Sequence, residues 1–443
     1  MTQALKVAIA GLGTVGISTL QILQKKASSL HEQCGRPIEV VAVSARDRTR
    51  DRGLDLSGVQ WFDDPIVMAR HAAIDVFVEL IGGKEGVAYS AILAALEGGR
   101  HVVTANKALL AHHGLALATL AEEKGVLLNF EAAVAGGIPI IKTMRESLCG
   151  NRASKIYGIL NGTCNYILTR MHQKSLSFHD CLKEAQRLGY AETDPTFDIE
   201  GNDTAHKLAL LTSLAFGSTI ELEAIYCEGI SNISLADIQA ADELGYRIKL
   251  LGVATRTETG IEQYVHPTMI PISSALAQVQ GATNAVSIQT DLLGELLLCG
   301  PGAGGAATAS AVVGDLADIA KSRPGFQYAA VFNKPANALT AYPKAKMRAH
   351  AGGYFIRLSV SDRAGVFASI AGHMADNNIS LESIVQRPKE NQPLNAMHVG
   401  HKTIILITHE TTEAAVRCAL SAMTNNGYLI AKPQYIPIVR PSG

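Results

Sequence analysis

The 443-residue chain contains no CxxC pair, and its seven cysteines, at positions 34, 149, 164, 181, 227, 299 and 418, are odd in number. Neither a zinc site nor a complete disulfide framework is indicated, and reduced, mostly buried thiols are expected. No apolar segment approaches the ~18–20 residues that span a bilayer. Nor does a basic region followed by a longer apolar stretch precede the first strand pattern, so the expectation is a soluble cytoplasmic protein without membrane contact. Charge of one sign is also missing: 39 Lys and Arg face 40 Asp and Glu, for a formal net charge of −1. Such a balance gives no global field for nucleic acid or membranes. His112, His113 and His206 have no partners at metal-ligand spacing and read as structural or solvated. Internal repeats and low-complexity tracts are absent. What is abundant is apolar residues, 47%, and glycine, 40 in number, against 18% charged residues, which suits an α/β protein with many tight turns. At roughly 100–200 residues per domain, two to four domains are expected.

Residues 5 to about 140 alternate apolar runs with helical patterns: Lys6–Ala10, a helix through Leu20–Leu30, Ile38–Val43, Asp75–Leu80, a helix near Tyr89–Glu97, His101–Thr104 and Leu127–Phe130. Alternation of this kind means parallel strands with right-handed crossovers, hence an open sheet over residues 1–140. Over 141–311 helices (Thr143–Leu148, Asn165–Gln173, His179–Leu188, Asp203–Ser213) precede strand-like pieces around Gln263–His266 and Leu296–Cys299. A helix from near Ala307 to Lys321 follows, within a closing stretch of about 307–340. A linker is expected at 341–352. From 353 to 443 the pattern is β-α-β-β-α-β: strands Tyr354–Val360, Ile379–Val385 and Thr403–Ile407, with helices at Ala364–Asp376 and Thr412–Met423.

Two segments carry chemistry. The run Val7-Ala-Ile-Ala10 enters Gly11-Leu12-Gly13-Thr14-Val15-Gly16 and then a helical pattern. Glycines between strand and helix let backbone approach a pyrophosphate, and the helix start offers free N–H groups. After the second strand no acidic residue stands directly on the strand end; Arg46 does, and a guanidinium there accommodates the 2′-phosphate of NADP. The competing readings are that Asp47 binds the ribose of NAD, or that the basic run 46–50 is a solvated loop. The second segment, Gly189–Lys207, crowds carboxylates before a helix that carries Asp203 and Lys207 one turn apart. Positions i and i+4 share a helix face, so Lys207 can be held beside Asp203 to give a proton to a developing alkoxide.

Other candidates follow from position. Lys107 comes after the strand His101–Thr104, at the carboxyl edge where open sheets bind ligands. Glu192 lies in the Gly-Tyr-Ala-Glu-Thr-Asp-Pro turn. Glu131 and the turn Val134-Ala-Gly-Gly-Ile138 combine a carboxylate with bending backbone, a hard-oxygen set suited to an alkali or alkaline-earth ion or simply a loop. Cys164, near a helix start, is the candidate for a thiolate nucleophile; no histidine is placed in sequence to activate it, and a small structural residue is the favoured reading.

Gly11–Gly16, Thr104-Ala-Asn-Lys107, Glu131-Ala-Ala-Val-Ala-Gly-Gly-Ile-Pro139, Leu160-Asn-Gly-Thr-Cys-Asn-Tyr166, Gly189–Lys207 and Gly300-Pro-Gly-Ala-Gly-Gly305 occur in one order. Together they resemble the homoserine dehydrogenase family over essentially the whole chain, and the C-terminal segment resembles an ACT domain. The resemblance implies a Rossmann-type doubly wound nucleotide-binding domain, an α+β catalytic and dimerisation domain, and a ferredoxin-like ACT domain. It implies NAD(P)-dependent interconversion of L-aspartate 4-semialdehyde and L-homoserine, with NADP favoured and NAD open. By the resemblance Lys207 is the proton donor, Asp203 a substrate-binding carboxylate, and Glu192 the partner of the substrate ammonium. Lys107 polarises the carbonyl or binds the carboxylate, while Thr104, Lys107, Gly189 and Gly304 stand against the cofactor. Glu131, Val134, Gly136 and Ile138 would hold a structural sodium ion, L-threonine is the expected effector at the ACT domain, and the assembly is a homodimer or homotetramer. Two other readings stay beside it: a nonenzymatic amino-acid sensor with the same domains, and a semialdehyde dehydrogenase that works through Cys164.

Overall fold

Strands β1 (Leu5–Ala10), β2 (Ile38–Ser44), β3 (Gln60–Phe62), β4 (Val76–Glu79), β5 (His101–Thr104) and β6 (Leu128–Asn129) are joined in parallel in the order β3-β2-β1-β4-β5-β6. The computed structural model describes residues 3–322, 330–345, 351–387 and 401–439. Helices α1 (Thr14–Lys25), α2 (Ala27–Cys34), α3 (Pro65–His71), α4 (Val87–Glu97) and α5 (Lys107–Glu123) connect these strands. Both faces of the sheet are covered, so Val7–Ala10 and Val76–Val78 are inaccessible residue after residue rather than alternately. Each such valine or isoleucine contributes about 1.5–3 kcal/mol by leaving water. Local signals agree with the fold: Asp64 caps α3 through the Ile66 N–H, with Pro65 in the first turn. The strand order reverses between β1 and β4, and the crevice at their carboxyl ends is where such sheets bind ligands.

The second half holds α6 (Ile140–Lys142), which runs into a π turn over Thr143–Ser147 where an ordinary helix is expected from sequence. It continues with β7 (Ala153–Ile159), α7 (Gly162–Lys174), α8 (Phe178–Arg187), α9 (Thr196–Ile199), α10 (Asn202–Phe216), β8 (Tyr226–Cys227) and α11 (Leu235–Glu243). Then come β9 (Tyr246–Thr257), β10 (Gly260–Pro271), β11 (Thr283–Thr290) and β12 (Glu295–Pro301). The long antiparallel pair β9 and β10 is much more than the short strand expected near Gln263. Residues 248–254 are buried on both sides, which erases the alternation that marks a strand. Gly252 is where α10 rests on the sheet: a Cβ there would lie 3.0 Å from Thr204 Cγ2 and 3.2 Å from Leu160 Cδ1.

Helix α12 (Gly305–Lys321) returns to pack on α1, and a Cβ on Gly305 would come within 2.7 Å of Ser18 Oγ. It ends at Lys321, where the sequence pattern places its end, and 323–329 of the closing stretch to 340 lie outside the described residues. Residues 330–345 are largely irregular and are tied to the catalytic half through Ser218↔Thr340 and Ile261↔Lys344 bridges. Of the expected linker, 346–350 lie outside the described residues, and 351–352 already belong to a strand.

The C-terminal elements are β13 (Ala351–Ser361), α13 (Val366–Asp376), β14 (Leu381–Arg387), β15 (His401–Thr408), β16 (Thr411–Thr412), α14 (Glu413–Asn425) and β17 (Gln434–Ile438). The order β17-β13-β15-β14 with two helices is a ferredoxin-like arrangement. Tyr354, Ile356, Leu358 and Val360 on β13 meet Ile370, Met374, Val416 and Leu420 of the helices, while Phe355 points into the catalytic core. β17 pairs with β13 on one side and, at Met269↔Ile438, with β10 on the other, so one sheet of eleven strands runs through both units.

Candidate active site

The glycine loop is packed to the limit of backbone contact. A Cβ on Gly11 (φ +101°) would lie 2.4 Å from the Leu80 carbonyl oxygen, and one on Gly16 would lie 2.0 Å from that of Gly11. Only glycine fits either position. Gly13 faces open space, and α1 begins there without a side-chain cap. The N–H groups of Thr14, Val15 and Gly16 at this helix start are therefore left for a phosphate. Leu12 is buried, and its carbonyl receives Arg52 Nε at 3.4 Å. Arg46 is exposed just beyond β2. Asp47 Oδ1 accepts Thr49 Oγ1 (2.7 Å), Thr49 N (2.8 Å) and Arg50 N (3.2 Å), and the Thr49 hydroxyl first of all holds that carboxyl below its usual range. A carboxylate so engaged in its own turn is poorly disposed to take a ribose. Arg52 was not singled out from sequence; its guanidinium also bonds the carbonyls of Arg50 and Asp47 and lies 5.6 Å from the Trp61 ring.

At the neighbouring strand ends, buried Glu79 accepts the Ile81 and Gly82 amides at 2.8 Å and Thr104 Oγ1 at 2.6 Å. Thr104 Oγ1 also receives Asn106 N, and Asn106 caps α5 at Leu109 while donating to the Gly83 carbonyl. The Thr104 hydroxyl is thus committed inside the fold. This network fixes Lys107, the first residue of α5.

Across the cleft, Asp203 holds two ammonium groups: Lys107 Nζ at 2.9 Å from Oδ1 and Lys207 Nζ at 2.7 Å from Oδ2. Burial alone would raise the Asp203 carboxyl, but Lys207 and then Lys107 overcome it and hold it well below the carboxylate range. Burial lowers Lys207, an effect that Asp203 only partly offsets. For the less enclosed Lys107, burial is outweighed by Asp203, with Asp198 and Glu192 adding to the rise. Lys207 Nζ also donates to the Leu160 carbonyl at 2.7 Å, which receives Asn284 Nδ2 at 2.9 Å as well. Asn161, the N-cap of α7, reaches Asp203 Oδ2 and Asp198 Oδ1, both at 2.9 Å. Asp198 further accepts Thr163 Oγ1 at 3.1 Å, and burial followed by Asp203 raises its carboxyl.

Asn161, Asp198 and the Leu160 carbonyl were missed as site residues. Asn before Gly-Thr and an apolar helix is an N-cap signal that could have flagged the first. Glu192 is exposed, with its carbonyl held by Gln186 Nε2 at 3.1 Å. Gly189 (φ +77°) is an exposed turn after α8. Gly304 (φ +110°) opens α12, and the same turn brings the Gly302 carbonyl to within 2.5 Å of where a Gly136 Cβ would be. His206 lies between the rings of His112 (5.6 Å) and Phe197 (5.3 Å); burial and then His112 push its pKa down to about 4, leaving it neutral at pH 7.

Cys164 cannot serve as a nucleophile: its side chain is inaccessible, its Sγ donates to the Asp198 carbonyl at 3.2 Å, and burial raises the thiol far above its usual value. At the Glu131 bend, each carboxylate oxygen of Glu131 accepts an amide, Ile141 N and Lys142 N at 2.8 Å. Burial and then Asp315 raise Glu131 to about 7, and burial raises Asp315 to about 6. Lys142, 3.4 Å from Asp315, leaves this pair short of positive charge, which fits a small cation. Among the described residues no group of three or more His, Cys, Asp or Glu could hold a metal. An ion here would therefore depend on backbone carbonyls such as those of Val134, Gly136 and Ile138, with the backbone bent by positive φ at Ala135 and Gly136.

Residues 11–131 match the family model described as homoserine dehydrogenase, NAD binding domain, and residues 139–317 match that of homoserine dehydrogenase. A homoserine dehydrogenase of Pseudomonas aeruginosa is 45% identical over 423 residues, 94% of this chain and 95% of that one. The chain belongs to the homoserine dehydrogenase family. A homoserine dehydrogenase crystal structure from Thiobacillus denitrificans superposes with a TM-score of 0.90 at 43% identity, over 99% of this chain and 98% of that chain. A hyperthermophilic archaeal homoserine dehydrogenase in complex with NADPH gives a TM-score of 0.61 at 28% identity, over 71% of this chain and 97% of that one. The protein is accordingly an oxidoreductase with homoserine dehydrogenase function and a nicotinamide-cofactor domain of Rossmann type. No helix among the described residues is long and apolar enough to cross a membrane.

Proposed function

We propose that Lys207 gives the proton, and Asp203 with Lys107 and Glu192 holds the substrate, when L-aspartate 4-semialdehyde is reduced to L-homoserine. The observation that carries this reading is Asp203 bridging Lys107 and Lys207 in a buried cleft. The nicotinamide cofactor, when bound, supplies the hydride. Gly11–Gly16 would cradle its pyrophosphate, Arg46 its 2′-phosphate and the Gly304 turn its neighbouring side, so NADPH is the favoured form; the engagement of Asp47 in its own turn supports that choice. Lys207, lowered by burial, is poised to release a proton as the carbonyl oxygen gains charge, and the Leu160 carbonyl keeps its ammonium aimed. Incubation with NADPH and L-aspartate 4-semialdehyde, followed by absorbance at 340 nm and identification of homoserine, tests the reaction; loss of turnover in Lys207→Ala tests the assignment.

The C-terminal unit acts as an ACT-type sensor of L-threonine in a homodimer or homotetramer. Helix α13 starts at Gly365 with no side-chain cap, so its first N–H groups suit an amino-acid carboxylate. Calorimetric titration of the full chain with L-threonine tests this, and absence of both binding and inhibition would refute it. A sodium ion at the Glu131 bend has a structural role, supported by the charge deficit there. A cytoplasmic location accords with seven unpaired cysteines.

A further inference from the structure

Lys249 lies in the first half of β9 and is 4% exposed, yet among the described residues its ammonium meets no carboxylate. Its hydrogen bonds go to two neutral acceptors, Asn165 Oδ1 at 2.9 Å and the Val279 carbonyl at 2.5 Å. Burial, and then Arg247 two residues away, lowers it to about 8. A buried cation without a counter-ion is costly, and an apolar residue of the same volume would spare that cost. Its presence calls for a task that an apolar residue cannot perform.

The bonds of Lys249 run toward the active site. Asn165 stands in the first turn of α7 and also donates Nδ2 to the carbonyls of Val279 (3.3 Å) and Thr283 (3.0 Å). The 279–283 turn is pressed on the same helix start, since a Cβ on Gly162 would lie 2.7 Å from the Ala282 carbonyl oxygen. Immediately before this clamp come the Leu160 carbonyl, which receives Lys207 Nζ, and Asn161, which receives no other task than capping α7 and binding Asp203 and Asp198. We infer that Lys249 is a positioning residue for the reduction: through Asn165 and Val279 it fixes the start of α7, and so the Leu160 carbonyl and Asn161 amide that orient Lys207 and Asp203. A charged donor suits the purpose because its hydrogen bonds are about twice as strong as neutral ones. A displacement of about 1 Å at reacting groups can cost roughly a hundredfold in rate.

The inference rests on Lys207 as proton donor, so Lys207→Ala is measured alongside; an active Lys207→Ala would remove the donor assignment, whatever Lys249 does. Lys249→Met in the full chain, assayed with NADPH and L-aspartate 4-semialdehyde, is expected to lose about tenfold or more in kcat. NADPH affinity should stay within about twofold, and Tm should be unchanged or higher, since an apolar side chain replaces an uncompensated buried charge. A merely structural lysine would give the reverse, a lower Tm with normal kcat in the folded protein. The double variant with Asn165→Ala should lose no more than the worse single variant, because both residues act through one contact. If Lys249→Met is insoluble, Lys249→Gln, which keeps a donor, carries the same test with a smaller kcat loss. A kcat within twofold of the wild type, or losses that multiply in the double variant, would overturn the inference.

Discussion

Lys107 Nζ, on the first residue of α5 in the nucleotide domain, lies 2.9 Å from Asp203 Oδ1 in the catalytic domain, so the two halves of the site are joined by one charged contact. Asp203→Asn should leave two ammonium groups facing each other in a buried cleft. We expect kcat/KM to fall by roughly 10²–10⁴, the range seen when proton-transfer groups are disabled. Breaking a buried pair on one side also costs about 3–5 kcal/mol, so a lower Tm should accompany the loss; calorimetry and steady-state kinetics on the same preparation check both.

Lys207→Ala should lower turnover by roughly 10²–10⁴ while NADPH still binds, measured by cofactor fluorescence. The pH dependence has a definite sign. Burial lowers Lys207 below the ordinary lysine value, so reduction, which needs the ammonium, should decline as pH rises through that lowered value. Homoserine oxidation, which needs the neutral amine, should rise over the same window. Equal profiles in the two directions would exclude Lys207 as the group responsible.

Gly16→Ala places a methyl group 2.0 Å from the Gly11 carbonyl oxygen. The loop must shift, and binding of both NADPH and NADH should weaken together. Arg46→Ala should instead weaken NADPH far more than NADH, because only the former carries the phosphate a guanidinium grips. Parallel cofactor titrations of the two variants distinguish a loop effect from a phosphate effect.

His206 has a folded-state pKa near 4, depressed from 6.5 by burial first and His112 second. The unfolded chain therefore binds the extra proton between those values, and this residue's contribution to stability is present above pH 6.5 and lost as pH falls toward 4. His206→Gln should show a shallower fall of Tm across that window than the wild type. An unchanged slope would place the acid sensitivity elsewhere.

The parts of this architecture legible in sequence are those that depend on near neighbours. Gly11, Gly13 and Gly16 between an apolar run and a helix mark the loop, and Asp203 with Lys207 mark one helix face, because both patterns are set by local geometry. The contact of Lys107 with Asp203 could not be read from spacing, since it depends on how two domains close. Asp198 was hidden among five carboxylates of one segment, and only burial beside Asn161 and Thr163 singles it out. Strand β9 was invisible for the opposite reason: Ile248–Ala254 are covered on both faces, and a uniformly buried strand has no period. The end of α12 at Lys321, by contrast, was legible, because Pro324 and Gly325 follow it closely in the sequence.

The pairing of Ile438 with Met269 has a bearing on synthesis. β8 and the Lys344 bridge cover the β10 edge at residues 261–265, but its Met269 end is closed by a strand made about 170 residues later, and Arg357 supplies the charge that balances Asp237, whose side chain is inaccessible. While the chain is still being made, the nucleotide domain can fold, but the Met269 end of the catalytic sheet's edge stays open until residue 438 has left the ribosome, a state that invites strand pairing with other chains. A nonsense mutation or a protease cut shortly before Gln434 would thus yield an aggregation-prone polypeptide rather than a deregulated enzyme.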